Sequence, residues 1–314
     1  LLLEKEQQHM KWIEIKLSVD GEAAEAVTEL LQRYGHQGIS MEQEGIMPEA
    51  WDEDNVPPPQ RLTIRAYIPN DDQAPTAKTQ LTTALKHMSM MYPMPTPEYT
   101  VIDDEDWAEA WKKHYHPIRL GRHLLVRPIW AEVSLNKDDI EISLDPGMAF
   151  GTGTHPTTQL CLQTLEDLVK PGYRVLDLGS GSGILAIAAA KLGAASVLGL
   201  DIDEIAVTSS RENIERNAVA DKITIEQGSL ETVIHSPRRF DLVVVNILAR
   251  IIIEMCDHGL GQTVRPGGIA MFSGIIDKQA DDVEAALRKT SLEPYARRRK
   301  GDWVVIEARR PHAE

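Results

Sequence analysis

The sequence predicts an α/β protein: a parallel sheet covered by helices on both faces, preceded by a smaller α+β unit. Three observations carry this. From Arg174 onward, short apolar runs alternate with helical stretches. Before residue 103, period-two and helical spacings follow one another in the order β-α-β-β-α-β. A length of 314 residues sets a prior of about two domains.

In the first third, Ile13, Ile15 and Leu17 alternate as a half-buried strand does. Ala23, Val27, Leu30 and Leu31 follow helical spacing, and Gly35 supplies a stop. Ile39 and Met41 mark a second strand. The acidic stretch from Glu42 to Gln60, with Pro57, Pro58 and Pro59, is a loop. Leu62, Ile64, Ala66 and Ile68 alternate as a third strand, a helix follows over Ala77 to Met88, and a fourth strand over Tyr99 to Ile102. This is the order of a ferredoxin-like unit, placed at residues 10–102. Met88, Met90, Met91 and Met94 read as gap-filling core and loop, because Pro93, Pro95 and Pro97 interrupt any long groove.

Residues 103–117 read as a helical linker. Asp103, Asp104, Glu105 and Asp106 suit the positive end of a helix dipole, and Lys112 and Lys113 the negative end. Trp107 and Trp111, four apart, share a face that docks on a neighbour. Residues 118–314 form the second domain. Its strands are expected at Val175–Leu178, Val197–Leu200, Ile223–Ile225, Leu242–Val245, Ile269–Phe272 and Trp303–Ile306. Helices are expected at Ile184–Leu192, Ile205–Asn217, Arg250–His258 and Lys278–Lys289. The basic run Arg297 to Lys300 reads as a solvated hairpin turn, being short for a nucleic-acid patch.

Composition narrows the function. The formal charge is −15, which opposes a broad phosphate-gripping surface and suits a cationic partner. Two cysteines, Cys161 and Cys256, are too few for a disulfide framework or a Cys-rich zinc site. No run approaches the roughly 18 apolar residues of a membrane span. The chain begins at Leu1, lacks a signal-peptide pattern, and residues 1–9 are expected outside the fold. The expected compartment is the cytoplasm.

The chemistry starts at Asp177-Leu178-Gly179-Ser180-Gly181-Ser182-Gly183, where a strand runs into a glycine turn that opens a helix. Glycines let a ligand approach the backbone without Cβ clashes. Asp201 ends the next strand, where a carboxylate can accept hydrogen bonds from both ribose hydroxyls of a nucleoside. Two readings fit. Gly181-x-Gly183-x-x-Ala186 formally matches a dinucleotide fingerprint. Gly179-x-Gly181-x-Gly183 behind Asp177 instead suits a cofactor with an ammonium group, because a carboxylate beside the turn repels a diphosphate.

Two further segments belong to this site. Asp145 to Thr158 combines glycines, threonines and Phe150 ahead of a helix reaching about Val169, a composition suited to closing over a cofactor. His155 is its one acid–base candidate, with backbone capping as the plainer role. Asn246, leaving the fourth strand, can accept a hydrogen bond from an attacking amine; its plainer role is to cap the next helix. Ile247, Leu248 and Ala249 offer no aromatic stacking surface, which favours a flexible aliphatic amine.

With these residues in view the chain resembles the ribosomal protein L-eleven methyltransferase (PrmA) family, over roughly residues 10–310. The resemblance rests on Trp107 and Trp111, Asp145–Thr158, Asp177–Gly183, Gly199–Asp203 and Asn246–Ala249. It implies a Rossmann-like class I methyltransferase domain behind a ferredoxin-like domain that recognises the ribosomal protein. The implied cofactor is S-adenosyl-L-methionine, held by Thr158, Gly179, Asp201 and Asn246, with Asp177, Gly181 and Phe150 beside them. Asn246 is the implied catalytic residue, with no metal. The implied substrate is the large-subunit protein L-eleven, methylated on lysine and N-terminal amines by a monomer that does not bind nucleic acid. Ser180 replaces the family's usual cysteine or alanine. The alternative is a catalytically silent, cofactor-binding ribosome assembly factor.

Overall fold

The computed structural model describes residues 11–20, 23, 27–28, 30–31, 39–43, 62–89, 94–103, 116–145 and 153–312. The chain divides into two compact units, Leu1–Tyr115 and His116–Glu314. Of the helix expected from Asp103 to Tyr115, only Asp103 is described, and it ends a strand; Trp107 and Trp111 lie outside the described residues, as do Met90, Met91 and residues 1–9.

The first unit has strands β1 (Lys11–Val19), β2 (Ile39–Gln43), β3 (Leu62–Pro69) and β4 (Glu98–Asp103), with helix α1 (Ala74–Met88). The sheet order is β2-β3-β1-β4, antiparallel throughout. Ile13, Ile15 and Leu17 point into one core with Leu62, Ile64 and Ala66, as their alternation requires. Ala23, Val27, Leu30 and Leu31 are helical and join that core, with Met88 and Met94 at its margin.

The second unit begins with a three-stranded sheet that the sequence reading passed over. Strands β5 (Ile118–Leu120), β6 (Leu124–Pro128) and β7 (Ile140–Leu144) lie in that spatial order. The main sheet has seven strands: β8 (Arg174–Leu178), β9 (Ser196–Asp201), β10 (Ile223–Gln227), β11 (Phe240–Asn246), β12 (Val264–Ile276), β13 (Glu293–Lys300) and β14 (Trp303–Arg309). Their order is β10-β9-β8-β11-β12-β14-β13. β14 runs antiparallel to both neighbours, while the β8, β9, β10, β11 and β12 ladders are parallel.

Alternation along each strand splits the apolar residues between two faces. Val175, Val197, Leu242, Val244 and Met271 meet helices α2 (Pro156–Leu168) and α3 (Ile184–Lys191), with the β5–β7 sheet sharing the same core. Leu176, Leu198, Val243, Val245 and Phe272 meet α5 (Leu230–Ile234), α6 (Ala249–Asp257) and α7 (Ala280–Arg288) on the other face. Helix α4 (Glu204–Arg216) packs near β7, β9 and β10. Glu166 on α2 joins the small sheet to this helix: its carboxylate accepts from the backbone N–H of Arg122 and His123, each at 2.7 Å, and of Leu124 at 3.1 Å.

The basic run is not a turn. Arg297 to Lys300 forms the end of β13, and the hairpin reverses at Gly301 and Asp302. Side chains alternate across a strand, so neighbouring arginines reach different acids. Arg297 pairs with Asp281 and Glu284, both at 2.7 Å, Arg298 with Asp167 at 2.5 Å and Glu307 at 2.6 Å, and Arg299 with Asp277 at 2.9 Å.

Candidate functional site

The strand order reverses between β8 and β11, since the chain proceeds from β8 through β9 to β10 on one side and from β11 to β12 on the other. In an open parallel sheet, that reversal leaves a crevice at the carboxyl ends of the two central strands. Gly179 follows β8 there, and Asn246 ends β11.

The glycine turn needs its glycines. Gly179, Gly181 and Gly183 have φ of 77°, 52° and 80°, in the left-handed region. A Cβ on Gly179 would also meet Ile247 Cγ2 at 2.6 Å. The turn is tied to β9: Gly179 N–H donates to Leu200 O at 2.8 Å, and Gly181 N–H to Asp201 Oδ2 at 2.8 Å. Asp201 Oδ1 accepts from Asp203 N–H at 3.0 Å. Both oxygens keep lone pairs for a ligand, because a carboxylate has about four acceptor positions.

Asp177 lies beneath the turn at 1% exposure, and neither oxygen meets a donor at full hydrogen-bond geometry, the Ala186 N–H acting on it only weakly. Burial, reinforced by the charge of Asp201 and partly offset by the Ala186 amide, pushes its carboxyl up to about 7. Thr158 Oγ1, Ser180 Oγ and Asn246 Oδ1 are buried and unpartnered as well, as are Thr28 Oγ1 in the first unit and Gln159 Oε1 and Thr164 Oγ1 on α2. Buried polar groups are normally satisfied, so an unbonded set on glycine-lined backbone fits a polar ligand. These residues suit a nucleoside cofactor that carries an ammonium group.

Asn246 is not a cap. The residue before α6 is Leu248, and no side chain caps that helix. The backbone behind Asn246 is held close to β12: Ile247 N–H donates to Ser273 O at 3.2 Å, and a Cβ on Gly274 would collide with the Ile247 carbonyl.

His155 takes the capping role. Its Nδ1 accepts from Thr157 N–H at 3.3 Å at the start of α2. Its ring meets Trp303 edge-on, 4.8 Å between centroids, and Trp303 pairs with Ile276 at the end of β12. This sets the first turn of α2, with Thr158, over the carboxyl edge of the sheet. Burial brings the imidazole down to about 4, so it is neutral at pH 7 and is not a poised acid or base. One turn along from Thr158, Cys161 is fully buried among the apolar residues of that face, and burial pushes its thiol up to about 12. It is core, as its apolar setting predicts. Phe150 lies outside the described residues.

Ile202, next to Asp201, was missed by the sequence reading. It is 75% exposed at this edge, and Ile205 is 48% exposed. An apolar residue directly after the carboxylate ending a strand was the available signal. Among the described residues, no group of three His, Cys, Asp or Glu could hold a metal ion, and no helix is long and apolar enough to cross a membrane.

The sequence matches the family described as ribosomal protein L11 methyltransferase (PrmA) over residues 11–311. The chain belongs to this family. A ribosomal protein L11 methyltransferase from Chloroflexus aurantiacus is 41% identical over 97% of this chain and 99% of its own length. One from Desulfitobacterium hafniense is 41% identical over 96% of this chain and 98% of its own. The crystal structure of ribosomal protein L11 methylase from Lactobacillus delbrueckii subsp. bulgaricus, 40% identical, aligns with a TM-score of 0.58, covering 63% of this chain and 100% of that one. The methyltransferase family thus accounts for both units of the chain, and the reversal point between β8 and β11 is where its cofactor chemistry is to be sought.

Proposed function

We propose that this chain methylates ribosomal protein L11, moving methyl groups from S-adenosylmethionine to lysine side-chain amines and to the N-terminal amine. The observation that carries the reading is the set of buried, unbonded polar atoms of Thr158, Asp177, Ser180 and Asn246 around the glycine turn, in a member of this family. When bound, S-adenosylmethionine supplies a methyl group on a positively charged sulfur.

The chain's residues then have distinct tasks. Asp201 would accept hydrogen bonds from the ribose hydroxyls through its remaining lone pairs, and the exposed Ile202 would give the adenine an apolar flank. Gly179 and Gly181 allow close approach, Thr158 would add a polar contact, and Phe150 is assigned to the cofactor by the family resemblance. Asp177, when ionised, would supply the negative charge that an ammonium group needs. Asn246 Oδ1, unpartnered in the fold, would accept an N–H of the incoming amine and so orient its lone pair. Holding both reactants in line supplies up to about 7–11 kcal/mol of the barrier. The costly step is deprotonation of a lysine whose reference pKa is about 10.4. A water-poor crevice favours the neutral amine, and bulk base takes the proton.

The ferredoxin-like domain, residues 10–102, presents the substrate through the linker at 103–117, and residues 118–314 hold the methyl donor. The protein acts in the cytoplasm as a monomer and contacts no nucleic acid directly. Its charge of −15 attracts a lysine-rich protein while opposing RNA phosphate. The test is incubation with methyl-labelled S-adenosylmethionine and purified L11. Label on L11 supports the reading; tight cofactor binding without transfer refutes it and favours the silent assembly factor.

A further inference from the structure

Helix α4 and its C-cap turn two asparagines, Asn213 and Asn217, toward β7, which among the described residues has a strand neighbour on one edge only. Along the other edge, Asn217 does a strand's work. Its Oδ1 accepts from Ser143 N–H at 3.0 Å, and its Nδ2 donates to Ser143 O at 2.6 Å. Two residues on, Asp145 N–H donates to Asn213 Oδ1 at 3.0 Å. The spacings match: residues four apart on a helix sit about 5–6 Å from each other, and residues two apart on a strand about 6.6 Å.

The other end of the Asn213 amide faces elsewhere. Its Nδ2 donates to Ser182 O at 3.0 Å, inside the glycine turn. Asn213 is fully buried. Arg216 reinforces the same junction, with Nη1 donating to Asn213 Oδ1 at 3.3 Å and Nη2 lying 3.7 Å from Asp145 Oδ2. One planar amide thus spans two segments: the turn at Gly181–Gly183, and the strand end from which the Asp145–Thr158 segment departs.

A glycine turn has few side chains to hold it in place. Its position depends on backbone bonds, and Asn213 supplies one from outside the sheet. An amide offers a donor and an acceptor together, whereas a carboxylate would set an acceptor against the Ser182 carbonyl. We propose that Asn213 is a positioning residue for methyl transfer. It locks the glycine turn and the Asp145 backbone in register, so the cofactor binds to a preformed crevice. This rests on the crevice being the S-adenosylmethionine site.

The neighbouring asparagine provides the control. Asn213→Asp removes the buried donor to Ser182 O in the turn while keeping the acceptor for Asp145 N–H, whereas Asn217→Asp removes the donor to Ser143 O in the α4–β7 contact and does not touch the turn. In the full chain, both variants lower the melting temperature. Asn213→Asp weakens S-adenosylhomocysteine binding about tenfold by calorimetry, the scale of one buried hydrogen bond. It also raises the S-adenosylmethionine KM more than it lowers kcat on L11. Asn217→Asp binds within about twofold of the parent, since its bonds do not reach the turn. If Asn213→Asp does not fold, Asn213→Ser, which removes the bridge without adding charge, carries the same expectation. Equal loss of affinity in the two positions overturns the proposal, as does parental affinity in the Asn213 variant. A parent that binds no S-adenosylhomocysteine refutes the cofactor reading itself, and the positioning role with it. A parent that binds, with the two positions behaving alike, removes only the role of Asn213.

Discussion

Replacing Asp177 by Asn removes a carboxyl group that the fold buries without a hydrogen bond of full geometry. Its folded value of about 7 stands against 3.8 for the free side chain, a gap of roughly 3 units. At about 1.4 kcal/mol per unit, the ceiling on the cost of ionising it in the fold is about 4 kcal/mol. Local relaxation and water entry reduce such penalties, so about 2 kcal/mol is the expected effect. The sign follows from proton counts. Between about pH 4 and 7 the folded state keeps a proton that the unfolded chain has released, so stability falls as pH rises through that window. Above about 7 the whole penalty is present. Asp177→Asn should therefore match the parent near pH 4 and exceed it by about 2 kcal/mol at pH 8, or roughly 4–8 °C for a domain of this size. Affinity moves the other way. The cofactor's ammonium favours the carboxylate, so parental binding of S-adenosylhomocysteine should rise with pH toward about 7. The variant should lose the acid limb and about tenfold in affinity at pH 7.5, the low end for an opposite charge acting on a carboxylate. Melting curves and calorimetry from about pH 5 to 8.5 test both halves. A stability gain without loss of affinity would place Asp177 outside the cofactor's field, and a pH-independent stability difference would refute the burial argument.

Asn246→Ala should lower turnover on L11 by about a hundredfold, the scale of a lost transition-state contact, while cofactor affinity changes less; equal turnover in single-turnover assays would remove its role in aiming the amine. Glu166→Gln leaves three backbone donors short of a charged acceptor and should cost about 2–3 kcal/mol, read as a lower melting temperature with turnover preserved well below it. His155→Ala should cost about 1 kcal/mol as a lost cap, and His155→Asn should restore most of it. Neither should move an inflection in the pH–rate profile near 6–7, because burial already keeps the imidazole neutral there. Gly274→Ala should sharply reduce soluble, active protein, since its φ of 79° and the adjacent Ile247 carbonyl both exclude a Cβ.

Where the sequence was informative, a local pattern matched a local constraint. Period-two alternation at Ile13–Leu17 and Leu62–Ile68 located strands whose faces did bury those residues. The glycines at 179, 181 and 183 announced positive φ, and Asp201 lay at a strand end beside them. What failed was long-range. The β5–β7 sheet was missed although Ile140, Ile142 and Leu144 alternate, because strands of three to five residues give weak signals without their partners. The arginines of 297–299 looked like a solvated turn because their acids come from Asp167, Asp277, Asp281, Glu284 and Glu307, which the fold alone brings together. Asn246 offered capping as its plainer role, and the absence of any side-chain cap bond at α6 removes that role without testing the other.

The pairing of those arginines sharpens the electrostatic reading of the whole chain. A basic run on an acidic protein suggests a local nucleic-acid contact that the net charge hides. Here each of the three arginines is engaged with carboxylates within the methyltransferase unit, and Arg298 also ties β13 to Asp167 at the far end of α2. Arg122 reaches the same Asp167 at 2.7 Å from the turn before β6. These partly exposed pairs each contribute little alone. As a connected set they brace the end of α2 opposite His155 and Thr158. Charge neutralised internally does not release counterions from RNA, so binding of this unit to RNA should be weak and only slightly salt-dependent. The same carboxylates also lose part of their outward field. Attraction of a lysine-bearing substrate must then come from acids without a basic partner. Raising salt should therefore lift KM for L11 while leaving KM for S-adenosylmethionine nearly unchanged, because screening acts on the long-range encounter and not on the buried crevice. Equal salt dependence of the two KM values would show that charge is not what brings the protein substrate to this enzyme.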